Sequence, residues 1–284
     1  MSLALGNRAA VLGLGIIGSR ACSRLLDAGW QVNCWNRTPK GLPGETATPE
    51  AAIVGAAVIS IYLKDVPAVR EVVGRIEGEL RAGQVILNHA TLDLDTTMWL
   101  EGVCRARGCR FLDTPFTGSK VASANGQLVY YTGGDSGLAA DLKPYLDVTS
   151  KSQLHCGEVG AATVVKLATN LISACTVQAL AEALAITTSQ GVSADCLIEA
   201  VAGNASGSVL TGMKLPTMVV SDFETHFSLS NMGKDTRYML ALAESAGLQT
   251  PAIAAVSKRM GELDAAGLGN LDYSVVVKPY QEIR

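Results

Sequence analysis

Lys166 and Asn170 stand four residues apart in an apolar stretch, residues 161 to 190, AATVVKLATNLISACTVQALAEALAITTSQ. On a helix that spacing puts both side chains on one face. A lysine a turn or two into such a helix is costly to bury without a reason. Its aliphatic stem could also carry the ammonium out to solvent. The chemical reading is a proton donor. Hydride addition to a carbonyl builds an alkoxide, and an ammonium neutralises it as it forms. An ordinary lysine, with a pKa of about 10.4, is charged at neutral pH and suits that acid role. Asn170 could then orient the lysine or the substrate oxygen. Gly157 and Gly160 let the chain turn into the helix.

A hydride needs a donor, and residues 11 to 38, VLGLGIIGSRACSRLLDAGWQVNCWNRT, read as a place to hold one. Gly13, Gly15 and Gly18 have G-x-G-x-x-G spacing between an apolar strand and an amphipathic helix. Gly13 allows the tight turn, Gly15 lets the backbone approach a pyrophosphate, and Gly18 lets helix pack on strand. The helix N-terminus offers free N–H groups to the phosphates. Ile16 and Ile17, inside the turn, are expected to touch the same dinucleotide, as is Leu63 after the third strand. An NAD site places an acid about 20 residues on, to hold the ribose 2′-OH. Here the second strand ends in Asn36-Arg37-Thr38, with no acid. Arg37 can pair with a 2′-phosphate, with neutral hydrogen bonds from Asn36 and Thr38. The alternative is a solvated surface arginine. The expectation is NADPH/NADP+.

LDTPFTGSK, residues 112 to 120, is a second candidate site. Thr117, Gly118 and Ser119 supply two hydroxyls and open backbone N–H groups, a set suited to a small carboxylate, though it could be a plain turn. Thr91, in ILNHATLD, lies at a strand's C-terminal end, where open α/β sheets bind ligands. By itself the Lys234-Asp235 pair, in NMGKDTRYM, reads as solvated.

These residues need elements to hold them. Residues 9 to about 155 alternate strands (AVLGLG, QVNCWN, AAVISIYL, QVILNHAT, CRFLDTPF, QLVYYTGG) with helical segments. That implies a mostly parallel, doubly wound Rossmann-type sheet. After Gly160 the long helix is followed by DCLIEAVAG, SVLTGMKLPTMV, NMGKDTRYMLALAESAG and PAIAAVSKRMGELDAAG, all helical in pattern. The fold class is therefore α/β followed by an all-α domain. The expected domains are 1–157, binding NADP, and 158–284, for substrate and dimerisation. A helix apolar on most faces must be buried nearly all round. The helical domain can wrap it only partly, so a homodimer or higher homo-oligomer is expected.

The chain has 284 residues, 48% hydrophobic and 17% charged, with net charge −3. A sizeable core follows, and no basic run points to nucleic acid or an anionic membrane. The apolar start, MSLALGNRAAVLGLGIIG, has almost no positive n-region and reads as the first strand rather than a signal peptide. No apolar run is expected to reach transmembrane length. The seven cysteines read as reduced thiols of a cytoplasmic protein. The cysteines and three histidines form no metal motif, so no metal is expected.

GLGIIG, NRT, DTPFTGSKVASANGQLVYYTGGD, VGAATVVKLATN and GKD together resemble the β-hydroxyacid dehydrogenase family. The resemblance covers nearly the whole chain, including the closing GLGNLDYSVVV. It is nearest to the NADPH-dependent glyoxylate/succinic semialdehyde reductases, through the G-S-K after the proline and the N-G-Q-L that follows. It implies that Lys166 is the catalytic lysine and Asn170 its partner. It implies that Thr117, Gly118 and Ser119 bind substrate and that Thr91 touches nicotinamide and substrate. It implies that Phe227 and Asp235 bind substrate from the helical domain and that Lys234 contacts cofactor. The substrate would be a small carboxylate-bearing aldehyde, or an imine. Two departures stand out. Thr117 replaces the family's usual serine, and Asn88-His89-Ala90-Thr91 replaces D-x-S-T, adding the titratable His89. Imine reductases share N-R-T but lack the lysine, as do non-enzymatic NADP-binding relatives, so Lys166 favours a carbonyl reductase.

Overall fold

The computed structural model describes residues 6–282, and the start of the apolar segment at Met1 lies outside them. The described residues form two compact units, and the chain passes from one to the other between Lys166 and Leu167.

The first unit is built on a parallel sheet. Strands β1 (Arg8–Leu12), β2 (Gln31–Trp35), β3 (Val58–Ile61), β4 (Val85–Asn88) and β5 (Arg110–Asp113) lie in the order β2-β1-β3-β4-β5. VISI and VILN are buried at every position, as strands covered on both faces should be. The ladder aligns Leu12 with Ile61, Ile61 with Asn88, and Asn88 with Asp113. The carboxyl ends of the parallel strands thus form one row. The segments leaving that row carry Gly13 to Gly18, Leu63, Thr91 and, at the end of β6, Thr117. Helices α1 (Gly18–Asp27), α2 (Val66–Ile76) and α3 (Leu94–Ala106) are the crossovers between parallel neighbours.

Two short antiparallel steps extend the sheet: β7 (Leu128–Gly133) pairs β5 at Asp113↔Gly133, and β6 (Phe116–Thr117) pairs β7. β8 (Ser150–Gly157) runs parallel to β7. The sequence pattern did not mark β8, because SKSQLHCG is polar and only its first residue is buried. Backbone pairing, not an apolar face, makes it a strand.

The second unit is helical. The long helix α4 (Ala161–Ser189) enters it, followed by α5 (Ala194–Ala202), α6 (Val209–Val219), α7 (Leu229–Ser245) and α8 (Pro251–Leu263). Its core joins Ala174, Val177, Ala181 and Leu184 of α4 to Met218, Met232, Ile253, Met260 and Tyr273. The expectation that no apolar run reaches membrane length is corrected by α4. Its best window has mean hydropathy 1.5, and by length and composition alone it could cross a bilayer. Its pattern is also that of a core helix, and Ala174, Val177 and Ala181 are buried in the helical unit. Ile172 and Ile186 are left exposed at 64% and 66%.

Candidate active site

The three motif glycines have distinct jobs. Gly13 has φ +100° and sits where a Cβ would lie 2.4 Å from the Tyr62 carbonyl oxygen. A Cβ at Gly18 would lie 1.9 Å from the Gly13 carbonyl oxygen. Both are glycine because the fold itself has no room. Gly15 is different: nothing lies within 4 Å of its would-be Cβ, and the residue is exposed. The space beside it belongs to no other part of the chain and fits a pyrophosphate. Helix α1 adds an N-terminus with no side-chain cap and no acid in its first turn. Ser19 already donates its N–H to the Gly15 carbonyl at 3.1 Å, and the positive end of the helix still faces any anion placed there. Ile16 is half-exposed beside this space, while Ile17 turns partly into the core. Leu63 borders Gly13, its Cδ2 3.1 Å from the would-be Cβ.

Arg37 projects into solvent with its side chain 80% exposed, 4.0 Å from Glu71. Asn36 beside it is engaged on both sides of its amide. Its Oδ1 accepts from the Leu14 N–H at 2.9 Å and its Nδ2 donates to the Thr38 carbonyl at 2.7 Å. The side chain ties the glycine turn to the arginine turn. The loop is closed further on by Glu45, whose carboxylate accepts from the backbone N–H groups of Lys40, Gly41 and Leu42. Those bonds, led by Lys40, hold the Glu45 carboxyl below its ordinary range. Thr38 is exposed at the tip.

Thr117 closes β6 and Gly118 follows it, both exposed, and Gly118 has φ +142°. Ser119 accepts from the Ala122 N–H at 3.2 Å, capping the short helix Lys120–Ala124. Its hydroxyl hydrogen remains a donor. Thr91 is half-buried, three residues past β4.

His89 is a core group rather than an extra acid or base of the site. It is 1% exposed and stacks on Tyr62 with ring centroids 4.2 Å apart. Its Nδ1 meets the Thr114 carbonyl at 2.9 Å and its Nε2 meets Ser60 Oγ at 3.1 Å. Burial pushes its pKa down to about 3, so it is neutral. One nitrogen donates to Thr114, and the other accepts from Ser60.

Lys166 is 9% exposed and is the last residue of the sheet unit. Three residues earlier, Thr163 is held by Asp113 at the end of β5. Asp113 Oδ2 accepts from the Thr163 N–H at 2.7 Å and from its hydroxyl at 2.8 Å. Burial pushes Asp113 up to about 6, against these bonds. Sequence reasoning quoted Asp113 without giving it a role. The available signal was an acid directly after the apolar pair Phe111-Leu112 of the strand.

In the helical unit, Asn170 donates Nδ2 to Asp235 Oδ2 at 2.6 Å. Lys234 Nζ lies 3.3 Å from Asp235 Oδ1. Asp235 is 2% exposed, so the reading of a solvated Lys234–Asp235 pair is corrected. Phe227 is half-buried and meets Tyr273 edge-on, with ring centroids 6.1 Å apart. Its N–H is held by Asp272 Oδ2 at 3.1 Å, and Asp272 is paired to buried Lys214 at 2.6 Å. Among the described residues no group of acids, histidines and cysteines could hold a metal.

Residues 8–160 match the NAD binding domain of 6-phosphogluconate dehydrogenase. Residues 160–280 match the domain described as NAD-binding of NADP-dependent 3-hydroxyisobutyrate dehydrogenase. The fold and glycine turn are thus those of an NAD(P)-dependent oxidoreductase acting on CH–OH and carbonyl groups. The chain is 31% identical to glyoxylate/succinic semialdehyde reductase 2, chloroplastic, of Arabidopsis thaliana, over 94% of this chain and 77% of that protein. It is 29% identical to reductase 1 of the same plant, over 94% and 96%. The chain belongs to the β-hydroxyacid dehydrogenase family. The solved 3-hydroxyisobutyrate dehydrogenase of Mycobacterium tuberculosis shares its fold, with TM-score 0.88 at 22% identity over 96% and 98% of the two chains.

Proposed function

We propose that the protein is an NADPH-dependent reductase of small aldehyde-acids, of the glyoxylate or succinic semialdehyde type. The observation that carries the reading is Lys166, a lysine held 9% exposed on α4 at the end of the sheet unit. The likeness to the two Arabidopsis reductases supports the substrate class. Exposed Arg37, with no acid at the ribose position, supports a 2′-phosphate and hence NADPH.

When bound, the nicotinamide supplies the hydride. Lys166 Nζ gives a proton to the carbonyl oxygen as negative charge gathers there, and the neutral amine regains it from solvent. Asn170 orients the lysine or the substrate oxygen. Thr117, Gly118 and Ser119 hold the carboxylate with hydroxyl and backbone donors. The exposed Ile172 and Ile186 of α4 support a homo-oligomer that covers them.

A scan of NADPH oxidation with glyoxylate, succinic semialdehyde and a cyclic imine tests the reading. The aldehyde-acids should turn over, and Lys166→Ala should lower kcat by about 10²- to 10⁴-fold while NADPH still binds. Wild-type turnover on imines alone, or near-normal kcat in Lys166→Ala, would sink it.

A further inference from the structure

Lys166 can act only if the turn of α4 that carries it is fixed, and the sheet unit fixes it through one buried carboxylate. Asp113 is fully buried at the end of β5. Thr163 is the third residue of α4, and both its N–H and its hydroxyl end on Asp113 Oδ2. The acceptor that usually caps such an N–H comes from the residue just before the helix. Here it comes from 50 residues earlier, on the sheet. A carboxylate suits the positive end of the helix, and bonds to an ionised acceptor are the strong ones. Thr163 Oγ1 is also 3.1 Å from Thr97 Oγ1 on α3.

Packing closes the other sides of the same turn. A Cβ at Gly160 would lie 2.5 Å from Leu94 Cδ1, and one at Gly133 would lie 3.1 Å from the Ala162 nitrogen. The first turn of α4 therefore sits against β7 and α3 with no slack. Lys166 follows Thr163 by three residues, less than a full helical turn of 3.6. The height and rotation of Thr163 are passed directly to the lysine.

We propose that Asp113 is the positioning residue for Lys166: by clamping Thr163 it sets where the ammonium stands. The proposal rests on Lys166 being the proton donor. It gives β5 a catalytic consequence, since a strand end far along the chain aims the acid.

The test uses the full-length protein with Asp113→Ala and Thr163→Val, each alone and combined with Lys166→Ala. Steady-state kcat and KM are measured with NADPH and succinic semialdehyde, and NADPH affinity by fluorescence titration. Asp113→Ala should lower kcat by about 10- to 100-fold, the effect of a small misplacement of a reacting group. NADPH affinity should stay within about twofold, as for distant independent sites. In the Lys166→Ala background, Asp113→Ala should change the residual kcat by no more than about twofold, because it has no lysine left to aim. Equal losses in both backgrounds would show a merely structural role and overturn the proposal. Thr163→Val keeps the backbone bond and the side-chain shape. It should cost about threefold in kcat, the worth of one hydrogen bond, and Thr163→Ser should restore it. This pair decides the matter if Asp113→Ala fails to fold. Wild-type kcat in folded Asp113→Ala, or in Thr163→Val should that be the variant that folds, overturns the clamp while Lys166→Ala remains impaired. Wild-type kcat in Lys166→Ala instead overturns the proton-donor reading, and the clamp with it.

Discussion

Asn170 and Asp235 are bound side chain to side chain at 2.6 Å, both of them buried. An ionised carboxylate only accepts, so the amide turns its NH2 to Asp235 and presents its carbonyl oxygen elsewhere. Asp235 therefore fixes which way round the Asn170 amide lies.

Replacing Asp235 by Leu should be felt twice. The Asn170 NH2 loses its partner in a buried place, which costs about 1–3 kcal/mol of stability. The amide is also freed to rotate, and kcat should fall by about tenfold through lost orientation. Urea unfolding and steady-state kinetics read the two effects separately. A variant as stable and as fast as wild type would show that the pair does neither job.

Much of this site was legible in the chain, for reasons that differ by residue. Gly13, Gly15 and Gly18 were readable because their spacing follows from the turn they must make. Lys166 was readable because a charge in an apolar helix asks for a reason. Asp235 was legible only through the family resemblance, since local pattern shows Lys234 beside it and cannot show that α7 turns Asp235 inward to Asn170. His89 is titratable by type, and only the structure shows that Thr114 and Ser60 hold it in the core. The Asp113–Thr163 clamp spans 50 residues, and local periodicity carries no trace of it. β8 was missed because its polar residues pair by backbone alone.

Arg37 should set the choice of dinucleotide. Its pair with Glu71 is long and exposed, so little is lost when the guanidinium turns to a phosphate. A charge-assisted bond is worth about 1.5–3 kcal/mol, roughly 10- to 100-fold in affinity. Arg37→Asp removes that bond and adds repulsion. The NADPH-to-NADH ratio of kcat/KM should fall by at least that factor. An unchanged ratio would mean that Arg37 is only a surface residue.

Two buried groups should shape acid stability in opposite senses. His89 is held down to about 3 by burial, against an ordinary 6.5. Its unfolded form takes up a proton first, so stability present above pH 6.5 is lost as pH falls toward 3. Asp113 is raised to about 6 by burial, from an ordinary 3.8. Its contribution is fully present below pH 3.8 and is lost as pH rises through 6. Over the shared range, from pH 3.8 to about 6, the effects oppose one another. Asp113→Asn removes one of them, so its loss of stability on acidification from pH 7 to about 4.5 should be steeper than in wild type. His89→Gln should make it shallower. Urea titrations at the two pH values check both, and a slope unchanged in either variant would disprove the assignment for that residue.

Gly15 and Gly18 belong to one motif, yet alanine should harm them by different routes. At Gly18 the added carbon meets the Gly13 carbonyl oxygen at 1.9 Å and Tyr62 Cβ at 2.9 Å. Neither can retreat without moving β1 or the chain after β3. Gly18→Ala should therefore destabilise the protein by about 1–3 kcal/mol or more, as overpacking does, with or without cofactor. At Gly15 the added carbon meets nothing in the chain. Gly15→Ala should unfold within about 0.5 kcal/mol of wild type, like an ordinary surface change. It should nonetheless weaken NADPH and NADH alike, because the methyl fills the space into which a pyrophosphate comes close to the backbone. Denaturation of the protein without cofactor, beside titration with each dinucleotide, separates the two glycines. If Gly15→Ala binds both dinucleotides as well as wild type, the open space beside it is not the pyrophosphate cradle.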